Sequence, residues 1–149
     1  MATTGTVRFH RVLRAPPERV YRAFIEPDAL AKWLPPNGFT CQVHHFEAKV
    51  GGTFKMSFRN FSKDKSHSFG GEYLELIRSE RIRYTDRFDD PNLPGQLMVT
   101  VVFRGVASGT DIEIVQEGIP AVIPVDMCYL GWQDSLEQLA RLVEPDIPG

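Results

Sequence analysis

Polar side chains set into apolar, alternating stretches are where this sequence could do chemistry, because burying such a group unpaired costs about 1–3 kcal/mol. Arg11 follows Val7 and Phe9 on one strand face, Tyr73 and Glu75 share a face with Ile77, and Gln116 ends the Ile112–Ile114 face. Buried charges are usually paired, so an Arg11–Glu75 ion pair would satisfy two of these groups. Tyr73 and Gln116 are then left as polar contacts able to orient a ligand in a mostly apolar pocket. For acid–base work the candidates are Glu75, Tyr73 and Asp86. None has a visible partner to position it or tune its pKa, and no catalytic residue is assigned.

Other chemistry is weakly supported. Cys41-x-x-His44-His45 holds three potential metal ligands, but adjacent residues on a strand point to opposite faces, and structural zinc takes four closed ligands. No metal site is expected. There is no G-x-S-x-G elbow, and the Gly51–Gly52 and Gly70–Gly71 pairs lack the strand-to-helix setting of a phosphate loop. They read as turns and bulges, and no cofactor is expected. Arg78, Arg81, Arg83 and Arg87 interleave with Tyr84 and Phe88, yet Glu75, Glu80, Asp86, Asp89 and Asp90 surround them. That texture describes a solvated strand face. With a net charge of −2 over 149 residues, nucleic acid is not expected as a partner.

The elements that must hold these residues are legible in outline. Val7 to Leu13 alternates as a strand, and Ala15-Pro16-Pro17-Glu18 stops it and opens a helix whose apolar face is Val20, Tyr21, Ala23 and Phe24. Pro27 starts a second short helix carrying Ala29, Leu30, Trp33 and Leu34, ended by Pro35-Pro36-Asn37-Gly38. The middle reads as strands: Cys41–Phe46, Phe54–Phe58, Glu72–Ile77, Arg81–Phe88, Leu97–Phe103 and Asp111–Gln116. Asn60 to Ser68 is polar and reads as a long loop, as does Asp89 to Gly95, and Gly105 to Thr110 reads as a turn. Val125, Tyr129, Trp132, Leu136, Leu139 and Val143 then form one helical stripe. The order is that of a single α+β domain spanning residues 1–149, not of alternating βαβ units.

Composition bounds the rest. Hydrophobic residues at 42% and charged residues at 24% are ordinary for a globular chain. No segment approaches the roughly 18 apolar residues of a membrane span, so stable membrane insertion is not expected. The opening MATTGTVRFHRVL lacks a signal-peptide core, which leads us to expect a cytoplasmic protein. Two distant cysteines, Cys41 and Cys128, suggest inert thiols and no disulfide framework.

Four stretches resemble the activator-of-Hsp90-ATPase-like branch of the START/Bet v 1-like, polyketide cyclase-related superfamily. They are R-x-x-x-A-P-x-E-x-V-Y-x-A-F (Arg11 to Phe24) with P-x-x-L-x-x-W-x-x-P (Pro27 to Pro36), and the Gly51–Gly52 turn. The others are G-x-Y-x-E-x-I-x-x-x-R-I-x-Y-T (Gly71 to Thr85), and the G-T-D-I turn (Gly109 to Ile112) with Gly131-Trp132 near the end. The resemblance implies a helix-grip fold: a curved antiparallel sheet of six to seven strands around a long C-terminal helix, with two short helices after strand 1. A cavity would lie between the sheet and the N-terminal half of that helix.

Alternation then supplies the expected lining. It comprises Phe54, Met56 and Phe58, Tyr73, Val99 and Val101, and Ile114 and Gln116 from the sheet, with Trp33, Met127 and Trp132 from the helices. The favoured reading is a cytoplasmic protein that binds a small hydrophobic molecule in that cavity. The resemblance also keeps two alternatives in view: a cyclase-, aromatase- or hydrolase-like enzyme, and a co-chaperone-like interaction module. Hsp90 is the less favoured partner, because the additional N-terminal domain of the eukaryotic co-chaperone has no room in 149 residues. A homodimer is compatible with the sequence, which does not specify one.

Overall fold

In the computed structural model, residues 4–149 are described, and the part of the leader reading that falls on residues 1–3 lies outside them. The chain runs β1 (Gly5–Leu13), α1 (Pro17–Ile25), α2 (Pro27–Trp33), β2 (Phe39–Phe46), β3 (Thr53–Asn60), β4 (Lys65–Ile77), β5 (Arg81–Phe88), β6 (Leu97–Val106), β7 (Gly109–Ile119) and α3 (Val125–Val143). All seven strands form one antiparallel sheet in the order β1-β7-β6-β5-β4-β3-β2. The α+β helix-grip architecture expected from the sequence is present, with seven strands.

Local chemistry explains the helices. Both α1 and α2 begin with proline at their first position, with Glu18 and Asp28 in the first turn facing the positive dipole end. Val20, Tyr21, Ala23 and Phe24 are the buried face of α1, and Leu30 and Trp33 that of α2. The fully buried indole of Trp33 donates to the Ala23 carbonyl at 2.8 Å and meets Phe24 edge-on at 4.7 Å between centroids, locking the two helices together. Gln138 on α3 donates to the Trp33 and Pro35 carbonyls at 3.1 and 2.6 Å, so the orphan groups at the end of α2 are met by α3. Thr110, fully buried, donates to the Ala15 carbonyl at 2.7 Å and ties the start of β7 to the β1–α1 corner.

The sheet departs from the sequence expectation at four places. The polar stretch expected as a loop from Asn60 to Ser68 is a turn at residues 61–64, and Lys65–Ser68 is the start of β4. Its residues pair in register with β3, Asn60 with Lys65 and Ser57 with Ser68, so backbone hydrogen bonding carries a hairpin that hydrophobic alternation cannot signal. Asp64 takes the left-handed backbone (φ 54) that closes the turn, a conformation aspartate tolerates. Secondly, β4 continues straight through Gly70–Gly71. A Cβ on Gly71 would stand 1.8 Å from the Thr85 carbonyl and one on Gly70 2.4 Å from that of Phe54, so only glycine permits this close crossing of three strands. Thirdly, the expected Gly105–Thr110 turn contracts to residues 107 and 108, with β7 running on to Ile119. Lastly, the Arg11–Glu75 pair does not form. Arg11 meets Glu137 at 3.3 Å, while Glu75, turned by a bulge between Tyr73 and Glu75, meets Arg81 at 2.8 Å.

Helix α3 lies over β1, α1 and α2 but leaves β3, β4 and β5 without a helix directly against them. That gap, between the sheet and the first half of α3, is where the candidate site lies.

Candidate functional site

Strand alternation builds the walls of the gap. On β5 every second residue, Ile82, Tyr84, Asp86 and Phe88, faces it. Strand β3 contributes Phe54, Met56 and Phe58, and β4 contributes His67, Phe69 and Tyr73. Opposite them stand Met127, Cys128, Gly131, Trp132 and Ser135 of α3, with Leu30, Trp33 and Leu34 from the region of α2. Together they enclose a cavity of about 290 Å³. Met127 (60% exposed) and His67 mark its mouth, whereas Trp33 and Met56 are almost inaccessible and mark its floor.

The interior is aromatic. Tyr84 stands edge-on to Phe54 at 5.5 Å and to Tyr73 at 5.9 Å, and Phe58 is edge-on to Phe69 at 4.8 Å. These are the T-shaped arrangements that ring quadrupoles favour. Gln116 ends this lining on β7, where its Oε1 accepts a hydrogen bond from the Trp132 indole at 3.0 Å. The pair fixes the Trp132 ring against the sheet.

Asp86 is the exception to this apolar character. Burial pushes its carboxyl up to about 7 from an ordinary 3.8, offset in part by a hydrogen bond that Oδ1 accepts from the Arg87 backbone N–H at 2.9 Å. Asp86 keeps some accessible surface because it borders the cavity, yet it lies deep in the molecule. Desolvation disfavours the charged form of such a group. Burial also raises the Tyr73 and Tyr84 phenols, with the Asp86 charge adding to it, and lowers the His67 imidazole. Among the described residues no Lys or Arg lines the cavity. A carboxyl that holds or releases a proton near neutrality, beside two neutral phenols, can donate or accept a hydrogen bond or pair with a cation.

Of the lining expected from the sequence, the structure brings together Trp33, Phe54, Met56, Phe58, Tyr73, Gln116, Met127 and Trp132. Val99, Val101 and Ile114 do not join them. They are buried in the packed core, where α1 lies over β6 and β7 and fills the space that the cavity occupies farther along the sheet. Glu75 is also outside the cavity, carried away by the β4 bulge. Asp86 was not among the expected lining residues. Its signal is its place in the alternation Ile82, Tyr84, Asp86, Phe88, which the interleaved arginines mask. Cys41, His44 and His45 do not converge: His44 contacts Ser57 at 2.6 Å, and His45 contacts Glu47 and Thr53. The described residues contain no group of three or more potential metal ligands.

The family model described as activator of Hsp90 ATPase homolog 1-like protein matches residues 14–144. The chain belongs to that family. Among solved structures of similar fold, a protein from Chromobacterium violaceum is 62% identical, with a TM-score of 0.94 over 95% of this chain and 98% of its own. Proteins from Rhodobacter sphaeroides (18% identical, TM-score 0.82, 95% and 92% covered) and Nitrosomonas europaea (20%, 0.75, 93% and 94%) share the family member's fold. No curated protein matches the chain. No helix of the described residues is long and apolar enough to cross a membrane.

Proposed function

We propose that this family member is a cytoplasmic binding protein for a small, mostly apolar molecule held between the sheet and α3. The observation that carries the reading is the cavity itself: about 290 Å³, walled by aromatic rings from four strands and three helices. Apolar cavities of roughly 150 Å³ take up benzene, so this volume suits a molecule of about two fused rings. Burying about 300 Å² of such a ligand is worth roughly 7 kcal/mol at 25 cal/mol per Å², before the cost of association. A neutral hydrocarbon would therefore bind no tighter than about the micromolar range.

Native mass spectrometry of gently purified protein, followed by titration with 2-ethylnaphthalene while Trp emission is recorded, tests the reading. Trp33 and Trp132 both border the cavity, so saturable binding should shift the emission. A flat titration together with a clean apo mass would refute the proposal. Gln116→Leu, which removes the acceptor of the Trp132 indole, should change ligand preference more than stability.

Asp86 favours one second reading, an enzyme of the cyclase, aromatase or hydrolase kind. A carboxyl poised near 7 in an apolar site is suited to general acid–base work. Conversion of an extracted ligand by the wild type and not by Asp86→Asn would support that reading over simple binding.

A further inference from the structure

Resting on the binding reading, we propose that the occupant of the cavity is a protonated amine carried on an aromatic-sized apolar body, with the Asp86 carboxylate as its counter-ion. Three observations converge on this chemistry. First, the wall is electrically one-sided: it holds a carboxyl and, among the described residues, no Lys or Arg. An anionic ligand would meet no countercharge there, whereas a cation would complete a pair that the chain leaves incomplete. Secondly, Asp86 lines the cavity and makes one hydrogen bond among the described residues, from the Arg87 backbone N–H to Oδ1, which leaves Oδ2 without a partner among them. Thirdly, the carboxyl shares its space with Tyr73 and Tyr84, and Phe54 packs against both rings. Aromatic rings around an ammonium add cation–π attraction, which strengthens when water is excluded.

The groups that titrate around Asp86 are few. Tyr84 lies on its own strand, Tyr73 and His67 on β4, and Cys128 on α3, while β3, β6, β7 and α2 present none to the cavity. Burial raises both phenols and the Cys128 thiol and lowers the imidazole, so each is neutral at pH 7. Binding a cation must strip the proton from Asp86, which costs affinity below its pKa of about 7 and nothing above it. Amine affinity should therefore rise about ten-fold from pH 6 to pH 8, since the ionised fraction grows from about 0.09 to about 0.9.

The test uses the full chain at low salt and three probes of one shape: 2-naphthylmethylammonium, 2-ethylnaphthalene and 2-naphthylacetate. At pH 8 the ammonium should bind at least ten-fold more tightly than the neutral probe, and the carboxylate most weakly. Its affinity should climb about ten-fold between pH 6 and pH 8 while that of the neutral probe stays flat. Asp86→Asn should abolish both the preference and the pH dependence while still taking up 2-ethylnaphthalene, which also reports that the variant is folded. His67→Asn should retain the climb, and losing it there would reassign the titration and overturn the role of Asp86. Equal affinity for ammonium and neutral probes, or tightest binding of the carboxylate, overturns the ammonium proposal and leaves the cavity reading standing. If none of the three binds, both fall together.

Discussion

Replacing Asp86 by asparagine should make the protein less sensitive to rising pH, and the size of the effect can be worked out. In the folded chain Asp86 ionises near 7, against 3.8 for an ordinary aspartate. The native state therefore holds this proton more tightly than the unfolded chain does. The stability it confers is complete below about pH 3.8 and is lost as pH rises through 7. Between about pH 5 and pH 8 the loss covers about two pH units, or roughly 2.7 kcal/mol at 1.36 kcal/mol per unit. Asparagine cannot ionise, so that component vanishes from the variant. With an m-value of about 2 kcal/mol/M in urea, the wild-type midpoint should fall by about 1 M more than that of Asp86→Asn over the same pH interval. Urea titrations followed by far-UV circular dichroism at the two pH values measure this directly. Comparing pH slopes cancels any fixed packing penalty of the amide. Parallel slopes would refute the reasoning, because they would mean that Asp86 ionises freely in the folded protein. A carboxyl retained at such a cost fits a site where stability has been traded for function.

Three further outcomes are expected. Trp33→Phe should cost about 1–3 kcal/mol in urea unfolding, because the buried Ala23 carbonyl loses the donor at 2.8 Å. Gly71→Ala should lower the melting temperature by more than the ~1 kcal/mol typical of point changes would, since its Cβ would lie 1.8 Å from the Thr85 carbonyl and backbone must move. Burial pushes the Cys41 thiol up to about 11, so at pH 7 it should react with a disulfide reagent roughly a hundred-fold more slowly in the native protein than in urea. Equal rates would show that Cys41 is accessible and unshifted.

Where sequence and structure agree, a strong period and a strong stop coincide. Of the α3 stripe, Trp132, Leu136, Leu139 and Val143 are buried as their spacing requires, whereas Val125 is half-buried and Tyr129 exposed, and the prolines that open α1 and α2 stand at the helix starts. The polar start of β4 was illegible because its pairing is carried by backbone groups, which every residue possesses. Depth along a strand was illegible too. Alternation tells which face Val99, Val101 and Ile114 present, but whether that face meets a cavity or a helix depends on where α1 lies across the sheet. The same alternation contains Asp86, whose charge matches a solvent-facing strand although it shares the cavity side with Tyr84 and Phe88.

The pairing of the first strand with the last has a consequence for how the protein is made. Gly5 pairs near Ile119 and Leu13 with Thr110, so β1 leaves the ribosome about a hundred residues before its partner. At roughly 5–20 residues per second, that is a wait of about 5–20 s. Helix α2 waits about as long, because Gln138 follows Trp33 by 105 residues and Pro35 by 103. The intervening strands form successive hairpins and can pair as they emerge. The edge that receives β1 and the helix that seals the cavity emerge last among these elements. Folding of the domain is thus committed by β7 and α3, and a ribosome stalled before β7 would hold a chain whose first strand lacks its partner and whose early helices lack α3.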